Sequence, residues 1–163
     1  MKEFDQIMTF LNPTSQEIPN INLYMDQLLE FYERTLGPLK RSGEDTVFTK
    51  TMINNYVKSN LVSPPLKKKY AKSAIEDLII IYHLKKSFSI QDISHILAAL
   101  KTNGSYYDQF IIDYDTIRED TLSALNPLLE TLDATALLQQ LIVEISFKKQ
   151  LADALIDQLK TNP

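Results

Sequence analysis

The 163-residue sequence predicts an all-α fold, and three observations carry that prediction. Apolar residues recur at three- and four-residue steps through most of the chain, the period of a helix face and not of a strand. Only three glycines are present, too few for the turns that a sheet-rich protein consumes. Side chains that cap helix N-termini precede several apolar runs, at Asn22, Thr49, Ser73, Ser89 and Asp133.

In chain order, Phe4, Ile7, Met8 and Leu11 fit a short helical stripe that Asn12-Pro13 stops, and Pro19 closes a loop. The next helix is expected to start at Asn22 and to bury Tyr24, Leu28, Phe31 and Tyr32 before Gly37-Pro38 ends it. A polar loop over Lys40 to Asp45 follows. Thr49 is the expected cap of a helix carrying Met52, Ile53, Tyr56 and Val57, which frays near Ser59-Asn60. Pro64-Pro65 forbids a helix through Leu61 to Tyr70, so this stretch reads as extended chain or a short hairpin. Ser73-Ala74-Ile75-Glu76 has the form of a capping box, with Ile75, Leu78, Ile79 and Tyr82 facing the core behind it. Ser89 opens a further helix with Ile90, Ile93, Leu97 and Leu100 at helical spacing, and Asn103-Gly104 breaks the chain. Helices over 115–132 and 134–160 complete it, the last capped by Asp133 and broadly apolar through Leu138, Leu141, Ile142, Ile145, Leu155, Ile156 and Leu159.

The composition is that of an ordinary globular chain, 44% apolar and 23% charged. No cysteine is present, which excludes disulfides, thiolate catalysis and cysteine metal sites. The first residues, Met1-Lys2-Glu3-Phe4-Asp5, lack the apolar run of a signal peptide, and the longest apolar stretch, 78–82, is too short to span a bilayer. A cytoplasmic protein with no membrane association is expected.

The net charge of −4 hides a strong asymmetry. Residues 1–45 carry four basic and eight acidic side chains, and residues 102–163 carry four against ten. Between them, residues 46–101 hold nine lysines (50, 58, 67, 68, 69, 72, 85, 86 and 101) against Glu76, Asp77 and Asp92. A basic middle between acidic flanks suggests a local polyanion site, although a solvated lysine face explains any one of these residues equally well.

The order of elements within that basic segment is informative. Ile53-Asn54-Asn55-Tyr56, then Asn60-Leu61-Val62-Ser63-Pro64, then Lys68-Lys69-Tyr70, and finally Phe88-Ser89-Ile90-Gln91-Asp92-Ile93 resemble the successive motifs of the DNA-binding domain of MerR-type transcription regulators. In those motifs an aromatic-rich helix leads to Gly-Leu-x-x-Pro, a wing with Arg-x-Tyr, and two more helices. Here Asn54 and Asn55 stand where the pattern has arginine and tyrosine, and the wing is short with no glycine at its tip. The run from Thr49 to Tyr70, with Ile18-Pro19-Asn20-Ile21 and the helix after it, also resembles a narrower bacterial family known as domain of unknown function eighteen thirty-six, over about residues 18–100.

The resemblance implies a winged helix-turn-helix core with a short wing at about 46–101, and additional C-terminal helices. It divides the chain into an N-terminal segment 1–20, a winged helix-turn-helix region 21–101 and an acidic helical region 102–163. The partner it implies is double-stranded DNA. Thr49, Lys50 and Thr51 offer a helix start to phosphate. Asn54 and Asn55, with Tyr56 and Lys58, lie on the helix that would read bases, since an asparagine amide matches adenine N6 and N7. Lys67, Lys68, Lys69 and Tyr70 on the wing would follow the backbone. Solvent-facing asparagines and solubilising lysines are the plainer alternative.

Other chemistries find little footing. His83 and His95 share no metal-ligand spacing, and ordinary packing or exposure explains both. Gly37, Gly43 and Gly104 are isolated, so no phosphate-binding glycine loop exists. Asp113, Asp115, Glu119 and Asp120 suit a helix start. No enzyme activity, cofactor or metal is expected. The acidic C-terminal region shows no long heptad pattern. It is expected to form a homodimer, or else to pack on the helix bearing Tyr24, Leu28 and Tyr32. Two functions remain open, a sequence-specific DNA-binding regulator and a helical protein-interaction module that does not bind DNA.

Overall fold

The computed structural model describes residues 2–41, 46–131 and 133–161, with side chains from Asp5 onward. The expected loop residues 42–45, the Phe4 side chain and Leu132 lie outside these. The described residues form seven α-helices and one two-stranded sheet: α1 (Lys2–Thr9), β1 (Leu23–Tyr24), α2 (Met25–Leu36), α3 (Lys50–Lys58), β2 (Lys69–Tyr70), α4 (Lys72–Leu84), α5 (Ile90–Leu100), α6 (Tyr106–Thr131) and α7 (Ala134–Thr161). The protein is thus mostly helical, as its composition predicts. None of these helices is long and apolar enough to cross a membrane.

The chain divides into two compact units, Met1–Asp113 and Tyr114–Pro163, so the division falls inside α6. The first unit is built around α4. Ala74, Ile75, Leu78, Ile79, Ile80, Ile81 and Tyr82 are all buried, more of the helix than the single face the spacing suggests. A helix apolar all round belongs in a core. Asp77 is buried with them and is held by Lys101 Nζ at 2.7 Å and the Tyr106 hydroxyl at 2.9 Å. Residues 1–20 belong to this unit. Phe10 and Ile18 are buried, the Tyr107 hydroxyl donates to the Pro13 carbonyl at 2.6 Å, and Ser15 donates to Glu76 at 3.0 Å. Ile7 and Leu11 are exposed, so the expected N-terminal stripe is not the buried one.

Phe48 joins three elements. Its ring lies 5.1 Å from Tyr32 of α2, 6.3 Å from Tyr56 of α3 and 5.9 Å from Tyr82 of α4, each edge-on. Lys85 Nζ sits 4.7 Å above the same ring and donates to the Val47 carbonyl at 2.7 Å. Edge-to-face pairs add about 0.5–1.5 kcal/mol each beyond area burial. The Tyr32 hydroxyl in turn donates to the Ile75 carbonyl at 3.0 Å, tying α2 to α4.

Local start signals fare unevenly. Thr49 Oγ1 accepts from Met52 N–H, Ser89 Oγ from Asp92 N–H, and Asp133 Oδ1 from Ala136 N–H, as expected. The Ser73 capping box does not form. Ala71 is the N-cap, because β2 delivers the chain two residues earlier, and Glu76 accepts from Ser15 instead. Likewise α2 begins after Tyr24 and not at Asn22, since Leu23 and Tyr24 pair with β2, and Gln27 Oε1 accepts from the Tyr24 N–H at 3.0 Å. Tyr24 is exposed in consequence, while Leu28, Phe31 and Tyr32 are buried as expected. Helix α6 starts at Tyr106, nine residues before the expected start, and Tyr107 and Ile111 contribute to burial.

Two consequences can be measured. Phe48→Ala should cost about 3–5 kcal/mol in urea unfolding, as a large aromatic-to-alanine core truncation does. His83 packs 5.9 Å from the Phe110 ring with Nε2 2.7 Å from Asn12 Oδ1, and burial pushes its pKa down to about 4. The folded protein therefore disfavours the imidazolium that the unfolded chain forms near pH 6.5. The stability it confers is present above that pH and lost as pH falls toward 4, by at most about 3 kcal/mol. His83→Gln should flatten this part of the pH–stability curve, and an unchanged curve would show that other groups set it.

Candidate nucleic-acid interface

Helix α3 is a nine-residue element with two faces. Ile53 and Tyr56 are buried against the first unit's core, whereas Thr51, Asn54, Asn55 and Lys58 are exposed at three- and four-residue steps on the other side. Its start is fixed from both directions, by the Thr49 cap and by the neighbouring Phe48 in the aromatic cluster. The first bond of the helix ladder runs from Ile53 N–H to the Thr49 carbonyl, so the amides of Lys50 and Thr51 precede it at an exposed helix start. Lys50 forms an exposed ion pair with Asp26 of α2, Nζ to Oδ1 2.7 Å. Such a pair is worth little in water and can exchange for another anion.

Asn60 ends α3 in the left-handed conformation, φ 57°, with Leu61 N–H bonded to the Tyr56 carbonyl. That is the conformation glycine adopts freely and asparagine tolerates best among the rest. It occurs at the residue aligned with the motif's glycine. Leu61 and Val62 then bury, and the prolines carry the chain out to an exposed Leu66.

Leu66 and Lys69 form a bridge with both of their N–H···O bonds at 3.0 Å, leaving Lys67 and Lys68 as the two central residues of a tight turn. Their φ values are 49° and 66°. Two successive positive φ values mark a type I′ hairpin turn, which usually takes Asn-Gly or Asp-Gly. A lysine in the left-handed region costs roughly 1–2 kcal/mol. The turn thus holds two cations at an exposed tip in a conformation that lysine itself disfavours. Behind it β2 pairs antiparallel with β1, Leu23 opposite Tyr70 and Tyr24 opposite Lys69, and Lys69 Nζ lies 4.8 Å above the Tyr24 ring.

Of the residues singled out in the sequence, Thr49, Lys50, Thr51, Asn54, Asn55, Lys58, Lys67 and Lys68 are exposed, and Lys69 is half-buried. Tyr56 and Tyr70 are core residues, 7% and 3% exposed, and burial raises both phenols above their ordinary range. They support the surface from beneath and present no hydroxyl to a groove. Not every lysine of the basic segment is available either, since Lys85 is tucked between Phe48 and Tyr82 and Lys101 is paired with Asp77. Tyr24 was not foreseen at this surface. A two-residue strand carries no periodicity, and its partner lies 45 positions away, so nothing local signals it.

An open hollow of about 620 Å³ lies between the end of α3 and the start of α5, lined by Ser59, Ser89, Ile90, Gln91 and Ser94. It offers hydroxyls and an amide but no charged side chain. Among the described residues no three His, Asp or Glu side chains gather as they would around a metal.

No curated protein and no solved structure matches the chain. One family does match, described as Domain of unknown function (DUF1836), over residues 13–117. The match takes in the loop before β1, the aromatic cluster, α3, the lysine hairpin and the first turns of α6, and leaves α7 outside. It covers well over half of the chain, which therefore belongs to this family.

Proposed function

We propose that the protein is a sequence-specific DNA-binding transcriptional regulator of MerR-like winged helix-turn-helix type, with α3 as its reading helix and the Leu66–Lys69 hairpin as its wing. The observation that carries this reading is the lysine pair at the turn. Backbone strain of this kind persists where surrounding structure over-determines it, and it clusters at binding sites. Two left-handed lysines on a solvent-exposed tip gain nothing from the core, whereas they suit a phosphate backbone, where each neutralised charge releases counterions. The exposed face of α3 complements them. Asn54 and Asn55 can each offer an amide to adenine in the major groove, and Lys58 and the α3 start reach phosphates. The left-handed Asn60 in the motif's glycine position further favours this family of folds. A protein-interaction module without DNA affinity is the second reading, favoured by the exposed apolar side chains of α7.

Fluorescence anisotropy on fragments from the gene's own upstream region tests the proposal. Binding should weaken with salt, log K falling with log[salt] at a slope of roughly −2 to −4 per protomer. Absence of binding at low salt overturns it. Replacing Lys67-Lys68 by Asn-Gly separates strain from function. The turn should become more stable by about 1 kcal/mol or more while affinity for specific and random duplexes falls together. Asn54→Ala should instead lose about 1–3 kcal/mol on the specific site alone. A double replacement that stabilises the fold and leaves affinity intact would remove the wing from the interface.

A further inference from the structure

The turn between α5 and α6 holds the one Asn-Gly pair of the sequence. Of nine asparagines, Asn103 alone precedes glycine, while Asn12, Asn126 and Asn162 precede proline and the rest precede residues with larger side chains. The distinction is chemical. To close a succinimide ring, the backbone nitrogen of the next residue must reach the asparagine Cγ. Proline has no N–H to give up, and any side chain on that residue crowds the approach. Asn103 and Gly104 are both exposed, and a Cβ at Gly104 would meet nothing within 4 Å, so the approach is open. The Ser105 N–H donates to Asn103 Oδ1 at 3.4 Å, which folds the carboxamide over the Asn103–Gly104 peptide. The same donor polarises the side-chain carbonyl and faces the oxygen on which negative charge develops during attack.

We propose that Asn103 is a self-modification site, where the chain converts its own backbone to isoaspartate and so loosens the anchorage of α6. The Gly104 nitrogen attacks Asn103 Cγ, the new C–N bond closes the ring, and the Cγ–Nδ2 bond breaks. Nδ2 leaves as ammonia, taking the proton lost from Gly104. Water then opens the ring at either carbonyl, giving aspartate or an isoaspartate whose backbone is one carbon longer. That carbon falls inside a closed loop. Lys101, just past α5, places Nζ 2.7 Å from Asp77 Oδ2, and Tyr106, the first residue of α6, donates its hydroxyl to Oδ1 at 2.9 Å. Asp77 is buried in α4, so both ends of the turn are pinned to one fixed carboxylate. The Tyr106 N–H also donates to the Asn103 main-chain carbonyl at 3.1 Å, the group that isoaspartate turns into a free carboxylate. A longer turn cannot keep every one of these contacts, and a buried carboxylate that loses its partner is strongly destabilising. The inference goes beyond DNA recognition and does not depend on it.

The test ages the full chain in warm, mildly alkaline buffer, then denatures it and digests it with trypsin. Peptide 102–118 should gain the mass difference between an amide and an acid, and separate into aspartate and isoaspartate forms, well before any peptide bearing another asparagine. Gly104→Ala, and Asn103→Gln, whose ring would be larger, should resist this change. The aged chain should unfold at a lower urea concentration than the fresh one, whereas aged Gly104→Ala should keep its midpoint. Asn103→Asp should unfold with the fresh chain, since it carries the new charge beside a helix start without the longer backbone. Should Gly104→Ala fail to fold, Asn103→Gln supplies the same comparison. Conversion at Asn103 no faster than at other asparagines, equal conversion in Gly104→Ala, or an aged chain as stable as the fresh one would each overturn the inference. An Asn103→Asp chain as unstable as the aged one would do so too, by assigning the loss to charge.

Discussion

Phe48 touches Tyr32, Tyr56 and Tyr82, and through them α2, α3 and α4 take their relative positions. It is also the residue before the α3 cap, so one side chain fixes both where that helix begins and how it lies on the core. Lys85 closes the cluster from above, over both Phe48 and Tyr82. The cation is therefore a packing element here, its stem buried along aromatic faces. Everything that α3 presents to solvent, from Thr51 to Lys58, depends on this anchoring from below. A short helix of nine residues holds no stable conformation without such tertiary support.

What the sequence makes legible follows interaction range. The caps at Thr49, Ser89 and Asp133 are settled within four residues and are read correctly from local sequence alone. The Ser73 signal is equally well formed but loses to a distant event. Pairing of Leu23-Tyr24 with Lys69-Tyr70 brings the chain into α4 at Ala71, and Glu76 is taken by Ser15 from another part of the fold. The same pairing shortens α2 and turns Tyr24 outward, where periodicity alone places it inside. Helix α6 starts early for a related reason, because Tyr106 and Tyr107 are drawn to Asp77 and to the Pro13 carbonyl.

The candidate interface is legible in part. The exposed face of α3 follows from helix period once Ile53 and Tyr56 are assigned inward. Motif position places Tyr56 and Tyr70 with the surface because it does not report side-chain direction, whereas both are buried and support it from the core. Charge counting likewise overstates the basic patch, since it cannot tell Lys101, bound to a buried carboxylate, from Lys58 in solvent. The left-handed backbone at Lys67 and Lys68 is beyond sequence reading altogether, because lysine carries no preference for it.

The hairpin geometry bears on how the chain ages in a proteolytic environment. Lys67-Lys68-Lys69 is the densest run of trypsin-type cleavage sites in the sequence, and its first two members are exposed. A protease binds its substrate as an extended strand, and a two-residue turn closed by paired backbone bonds on Leu66 and Lys69 does not present one. Cleavage there requires local opening, which also breaks the pairing with Leu23-Tyr24 and exposes the buried Tyr70. The bonds that bend these lysines out of their preferred conformation thereby shelter them, and nicking at this tip reports on unfolding of the hairpin instead of on its exposure.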